Sequence, residues 1–336
     1  MKIITPSYEI IDTLDATEIL KKIELCGRVC YKSEDKITEN SAIPFCNNIF
    51  NSGHESVAEH GEYIIQFRRY NDYAKIVCSM NALEEKVGEK SLLRHTVNKE
   101  RYIISGNVRM WRDFIKNCIK NNIYICNKAL TLLTYVFDIA NKPEFKTLFG
   151  DILTVPDKYT VNPYPVKFLS QDDLISMVEI LTHRTITVRF ITDRGVSHEI
   201  VRHRLASYSQ ESTRYCNYSK DGFDSQITVI KPSFLVNDTD GYKIWERGCK
   251  QAEQAYFDML NYGCTAQEAR SVLPNSLKTE LIMTANLREW RHFFSLRTVK
   301  AAHPDMRVLT IPLLKELKQL IPVVFDDIYE EEINND

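Results

Sequence analysis

No two of the eleven glycines stand a single residue apart, so the chain has no GxG, no GxGxxG dinucleotide turn and no P-loop. A nucleotide cofactor, if one binds, is not held by a Rossmann glycine turn. Cysteine occurs nine times but never as CxxC; Cys26 and Cys30 lie four apart in a helical pattern and the others are scattered. An odd count in a chain of 336 residues reads as reduced, packed thiols rather than a disulfide framework or a metal site. No apolar run approaches about 18 residues, and MKIITPSYEI has no apolar core of signal-peptide length, so a soluble, cytoplasmic protein without membrane contact is expected. A charge excess is missing too. The 43 Lys and Arg face 45 Asp and Glu, so no global field gathers nucleic acid and any basic site is local.

What is present is an ordinary globular composition, 44% hydrophobic and 26% charged, ample for a large core. Asp15-Ala-Thr-Glu18 resembles a capping box, and Ile19, Leu20, Ile23, Cys26, Val29 and Cys30 follow at helical spacing. A second helix is predicted over 41–52, stopped by Gly53; GHESVAEH and the strand-like EYIIQF come next. The texture changes over 68–183, where helical pieces, a basic stretch and a loop rich in Pro, Asn and Tyr (155–165) read as an insertion or subdomain within one domain spanning 1–325. RTITVRFIT alternates like a strand, and Asp193 or Ser197 begins a helix that carries Arg202–Arg204. ITVIKPSF is a further strand. Helices are expected over 242–262 (ended by Gly263), 265–273, 287–296 and 304–320, before a frayed acidic tail at 326–336.

One stretch echoes another. Asn107-Val-Arg109-Met-Trp111-Arg112-Asp-Phe114 matches Asn286-Leu-Arg288-Glu-Trp290-Arg291-His-Phe293 at five positions with identical spacing, each after an apolar, strand-like run. Both copies place Asn and Arg where a helix would start, and backbone N–H groups at such a start favour anions. A recurring strand-to-helix turn without function is the plainer account.

Three clusters carry polar chemistry. RHRLASYSQESTRY (202–215) opens with three cations and continues into Ser207, Ser209, Ser212 and Arg214, a hydroxyl-rich loop suited to phosphate oxygens. Alone, it reads equally as a solvated helix end. GHESVAEH supplies His54, Glu55, Ser56, Glu59 and His60, but HExxxxH is not the zinc-protease spacing. The third cluster gathers Arg270, Asn286, Arg288, His292 and Arg297, so many arginines near one short helix that anionic partners are expected.

RHRLASYSQESTRY resembles the RHR-x7-S signature of the flavin-dependent thymidylate synthases, with Ser212 as its last serine. HES in GHESVAEH is similar to that family's His-Glu-Thr/Ser element. EARSVLP is similar to its A-R-x-x-L-P, and TANLREWRHFFSLR to its N-x-R…H-F…L-R segment. The resemblance covers about the first 65 residues and 184–325. It implies an α/β fold of the α+β type, a twisted sheet flanked by long helices, assembled as a homotetramer with active sites between subunits. It also implies reductive methylation of dUMP to dTMP, with 5,10-methylenetetrahydrofolate as carbon donor and NADPH-reduced FAD as hydride donor, and no enzyme cysteine attacking the pyrimidine.

By the same resemblance Arg297 stabilises the ionised N3 of uracil and His54 lines the flavin and folate side of the pocket. Arg202 lies between nucleotide and flavin. Ser212, Thr213, Arg214 and Arg270 hold dUMP. Ser56, His203, Arg204, Asn286, Arg288 and His292 contact FAD. Compact members carry Gln where this chain has Glu199, which faces the nucleotide, and a Glu-Leu pair where it has Gln210-Glu211; either of that pair is a candidate ligand contact. Two other readings stand beside this one: a synthase with Cys216 as nucleophile, and a nucleic-acid module built on Arg202–Arg204 and the basic stretch 86–112.

Overall fold

The computed structural model describes residues 1–11, 18–88, 90–154, 166–220 and 223–328. Asp15 of the expected capping box, the loop 155–165 and residues 329–336 of the acidic end lie outside the described residues. The strands are β1 (Lys2–Ile4), β2 (Ser7–Ile10), β3 (Glu62–Phe67), β4 (Arg94–Val97), β5 (Tyr102–Asn107), β6 (Val166–Phe168), β7 (Thr185–Asp193), β8 (Ala206–Gln210), β9 (Thr228–Ile230) and β10 (Lys278–Asn286). The helices of the first half are α1 (Ile19–Tyr31), α2 (Ala42–Asn51), α3 (Tyr70–Val87), α4 (Val108–Lys120), α5 (Tyr124–Phe137) and α6 (Pro143–Phe149). Those of the second are α7 (Met177–His183), α8 (Arg194–Ile200), α9 (Asp240–Tyr262), α10 (Ala266–Ala269), α11 (Leu287–Arg297) and α12 (Pro304–Leu320). This is the mixed α/β build expected, with helices beside small, largely antiparallel sheets. No described helix is long and apolar enough to cross a membrane.

The chain divides into two compact units, one of Met1–Asp12, Gly27–Glu34 and Ile186–Asp336, the other of Thr13–Cys26 and Asp35–Thr185. The segment 68–183, expected as an insertion or subdomain, falls wholly within the second, which also takes in 13–26 and 35–67.

In the first unit the sheet order is β2-β7-β10-β8, with β2 antiparallel to β7 and β8 antiparallel to β10; β1 and β9 form a short parallel pair. β10 is buried along nearly its whole length, as a central strand covered on both faces is. Trp290 of α11 is fully buried and donates Nε1–H to the Ile186 carbonyl at 3.1 Å, so its polar edge is satisfied where its rings fill the core. Asp193 caps α8 by accepting from Val196 N–H at 2.9 Å, and Gly263 ends α9 at φ 108°, a left-handed conformation that glycine takes without steric cost.

Two expectations fail here for one reason. α8 stops at Ile200, so Arg202–Arg204 form a turn beyond the helix, not part of it. The Tyr208 hydroxyl lies 2.9 Å from the Ile200 carbonyl and 2.7 Å from that of His203, and it satisfies the chain end where the helix would have continued. Tyr208 can do this because 206–210 is a strand paired with β10, where a loop was expected; Ser207 and Ser209 are buried on it. The described part of the acidic end is not frayed either. Asp327 accepts from both terminal nitrogens of Arg291 at 2.6 Å.

The second unit is built on the fully antiparallel sheet β4-β5-β3-β6. Its core is aromatic: Phe137 stacks on Phe149 with ring centroids 4.2 Å apart, and Tyr63, Phe145 and Phe168 pack around them.

Candidate active site

In the first unit three expected residues meet at one guanidinium. Arg297, at the end of α11, donates through Nε to His203 Nε2 at 3.1 Å, through Nη1 to a Glu199 carboxylate oxygen at 2.9 Å, and through Nη2 to the Glu199 carbonyl at 3.1 Å. The fork is thus fixed from three directions by the end of α8 and the RHR turn. Since His203 Nε2 accepts, its proton sits on Nδ1, which faces the Glu289 carboxylate at 3.5 Å and has no hydrogen-bond partner among the described residues. Burial, then the charges of Arg297 and His292, push the imidazole pKa down to about 4, so His203 is neutral at physiological pH. Burial also raises the Glu289 carboxyl above its ordinary value. His292 stacks edge-on to His203 at 5.6 Å.

The nucleotide candidates gather at a second point of the same unit. Arg270 Nη1 reaches Thr213 Oγ1 at 3.4 Å, and Arg214 Nε donates to Gln267 at 3.1 Å, so two exposed guanidinia flank one turn. Ser212 anchors that turn through its N–H to the Cys30 carbonyl at 3.0 Å. Arg202, Arg204 and Arg288 are exposed, and Asn286 caps α11 by accepting from Glu289 N–H at 2.9 Å. Of the uncertain pair, Gln210 donates to Ser197 at 2.9 Å, while Glu211 is buried against Lys278 at 2.9 Å and keeps one buried carboxylate oxygen without a partner among the described residues.

His54 and Ser56 belong to the second unit. Both are exposed, His54 at the cap of the 3-10 turn Glu55–His60 and Ser56 within it. Between them Glu55 is held by Lys116 at 2.6 Å and Arg112 at 3.3 Å; burial raises its carboxyl, but these cations outweigh that and set it below its ordinary value.

Two features were not anticipated. A cavity of 260 Å³ opens beside the start of α8, lined by Asp193, Glu199 and Asp305 with His303 and Asn275. Glu199 thus joins the cavity to Arg297. Second, the ligand atoms of His203, Glu289 and His292 lie within 4.8 Å of one another, a spacing open to a metal ion although no metal site was expected. Spacing in α11 puts Glu289 and His292 on one face (i, i+3), but nothing local announces His203 opposite them.

Residues 175–323 match the family model described as "Thymidylate synthase complementing protein". Over 134 residues the chain is 37% identical to a flavin-dependent thymidylate synthase of Geobacter sulfurreducens, covering 40% of this chain and 56% of that protein. The same name belongs to relatives in Pyrococcus furiosus (34% over 139 residues; 41% and 56%) and Corynebacterium aurimucosum (31% over 167 residues; 45% and 64%). The match spans less than two thirds of the length of each.

Proposed function

We propose that this chain, whose residues 175–323 match the family model described as "Thymidylate synthase complementing protein", is a flavin-dependent thymidylate synthase that catalyses reductive methylation of dUMP to dTMP. 5,10-Methylenetetrahydrofolate supplies the carbon and NADPH is the reductant. FAD, when bound, carries the hydride. The observation that carries the reading is the pinned Arg297, at which two sequence-distant segments, residues 199–203 and the end of α11, meet. A guanidinium held from three sides needs little reorganisation to meet negative charge developing on a pyrimidine, the economy of an oxyanion hole. Its Coulomb partner Glu199 lies 2.9 Å away and lines the 260 Å³ cavity, so a base entering there meets the carboxylate that holds the guanidinium.

Arg214 and Arg270, with Ser212 and Thr213, suit the dUMP phosphate, since exposed forks and hydroxyls bind phosphate oxygens at little desolvation cost. For FAD the candidates are Arg202, Arg204, Arg288, Asn286, His292, and the buried, unpartnered Nδ1 of His203, an atom a ligand acceptor would satisfy. His54 and Ser56 are our candidates for the flavin and folate side. We take the enzyme to be a cytoplasmic homotetramer that acts on small molecules, not nucleic acid. Purified protein should show flavin absorption that NADPH bleaches, and should release dTMP only when dUMP and the folate are both present. Colourless protein that FAD cannot reconstitute would refute the assignment.

A cysteine mechanism fits less well. Cys216 is buried, and burial with the nearby Glu211 charge pushes its thiol up to about 12, far from thiolate at neutral pH. Cys216→Ser should therefore keep turnover within about twofold of the parent, whereas a loss of about a hundredfold or more would restore the nucleophile.

A further inference from the structure

The two echoing stretches occupy the same place in two units of like build. Read from its flanking strand, the sheet of the second unit runs β6-β3-β5-β4; that of the first runs β2-β7-β10-β8. Each has the flanking strand antiparallel to the earlier of the two central strands. The later central strand, β5 or β10, leads directly into a helix capped by asparagine, at φ −71° and ψ 165° for Asn107 and φ −74° and ψ 165° for Asn286. Trp111 and Trp290 are both fully buried. Trp111 packs on Phe137 and Phe137 on Phe149; Trp290 packs on Phe294 and Phe294 on Phe325.

The arginine after each tryptophan does the same thing. Arg112 holds the Leu148 carbonyl and both oxygens of Asp151; Arg291 holds the Val324 carbonyl and both oxygens of Asp327. The acceptors sit three apart in each case, in Leu148-Phe-Gly-Asp151 and Val324-Phe-Asp-Asp327. A chance turn would not repeat strand order, cap, buried aromatic chain and a two-point arginine clamp together.

The ligand candidates are not repeated. Counting from the shared asparagine, Arg297 corresponds to Cys118, which is buried, and His292 corresponds to Asp113. Besides the shared asparagine, Asn107 for Asn286, only Arg288 has a like partner, Arg109, and Glu59 at 2.6 Å with Asp113 at 3.5 Å already neutralise it. Near the place of the RHR turn, β4 opens with Arg94 and His95, but Glu62 holds Arg94 and the Tyr73 hydroxyl lies 2.8 Å from His95 Nδ1. Residues 98–101 alone join β4 to β5, whereas 211–277 join β8 to β10 and carry Ser212, Thr213, Arg214 and Arg270. What is retained is scaffold; Arg94, Arg101, Arg109 and Arg112 of this copy are each paired with a carboxylate, and the set of Ser212, Thr213, Arg214 and Arg270 has no counterpart among its described residues.

We propose that the chain is a tandem duplication of one β–α unit in which only the copy built on β7–β10 keeps a phosphate-binding set, so that each chain binds one dUMP and one FAD rather than two. The inference rests on the function proposed above. The copy built on β3–β6 contributes at most its His54–Ser56 segment to ligand binding.

Titration of the full chain with FAD, followed by its absorption, and with dUMP, followed by calorimetry, should reach saturation at about one of each per chain. About two per chain would overturn the duplication's division of labour. No flavin binding at all would instead overturn the functional reading, and the site count with it. Arg109→Ala and Arg288→Ala then compare equivalent positions. Arg288→Ala should weaken FAD at least about tenfold and Arg109→Ala should leave it unchanged; equal weakening by both would show that the second copy binds too. Thermal melts of both variants identify any loss that is merely unfolding.

Discussion

Arg297→Ala should lower turnover by at least about a hundredfold, equivalent to about 2.7 kcal/mol of transition-state stabilisation, while leaving flavin bound. Three bonds hold this guanidinium, and none of them needs to break for its outer edge to face a pyrimidine. The effect should fall on the rate at saturating dUMP more than on KM, because the charge it meets develops during reaction. Arg297→Lys should recover little, since an ammonium cannot satisfy His203, the Glu199 carboxylate and the Glu199 carbonyl from one fork. His203 keeps its acceptor nitrogen until pH falls through about 4, so the arrangement persists across the neutral range. Steady-state rates with flavin absorption per chain provide the measurement. Near-parental turnover in Arg297→Ala would remove the residue from the chemistry.

Most elements were legible because their signals are local. Gly53 and Gly263 stop helices in left-handed conformation, and Asn286 reads as a cap because its side chain needs only the N–H three residues on. The end of α8 was not legible. No glycine or proline marks it, and the group that terminates it, the Tyr208 hydroxyl, acts from a neighbouring strand. ASYSQ read as a loop by composition, yet pairing with β10 makes it a strand, a case of tertiary context deciding a weak propensity. The arginines of the candidate site were legible as types, but their grouping was not. Sequence placed Arg202–Arg204 on a helix, whereas the turn leaves Arg202 and Arg204 exposed and buries only His203. The echo was visible as five identities that read equally as a recurring turn, while the Asp151 and Asp327 clamps became apparent only in space.

Glu280→Ala should destabilise the protein by about 3 kcal/mol, the cost of removing the buried carboxylate on which three half-buried cations converge. Glu280 is nearly buried on β10 and binds Lys32, Lys278 (2.5 Å) and Arg189 (Nε at 2.8 Å). Glu34 and Glu211 complete a set of three cations and three carboxylates. Burial raises the Glu280 carboxyl, but Lys278 and Lys32 outweigh it and hold the pKa at about 2. A depressed carboxylate contributes stability that is whole above its ordinary value near 4.5 and lost as pH falls through about 2. The destabilisation should therefore be full at pH 7 and shrink in strong acid. Pairing Glu280→Met with Lys278→Met restores charge balance and should recover part of the loss, since a neutral pair avoids both desolvation penalties. Chemical denaturation of the two single variants and the double variant measures this coupling; additive losses would show that the charges act independently. The site should respond as well. Lys278 also binds Glu211, whose N–H donates to the Glu280 carbonyl at 2.8 Å, immediately before Ser212 and the turn flanked by Arg214 and Arg270. Loosening this network should raise KM for dUMP more than it lowers turnover, because it displaces a binding turn and leaves the Arg297 fork in place.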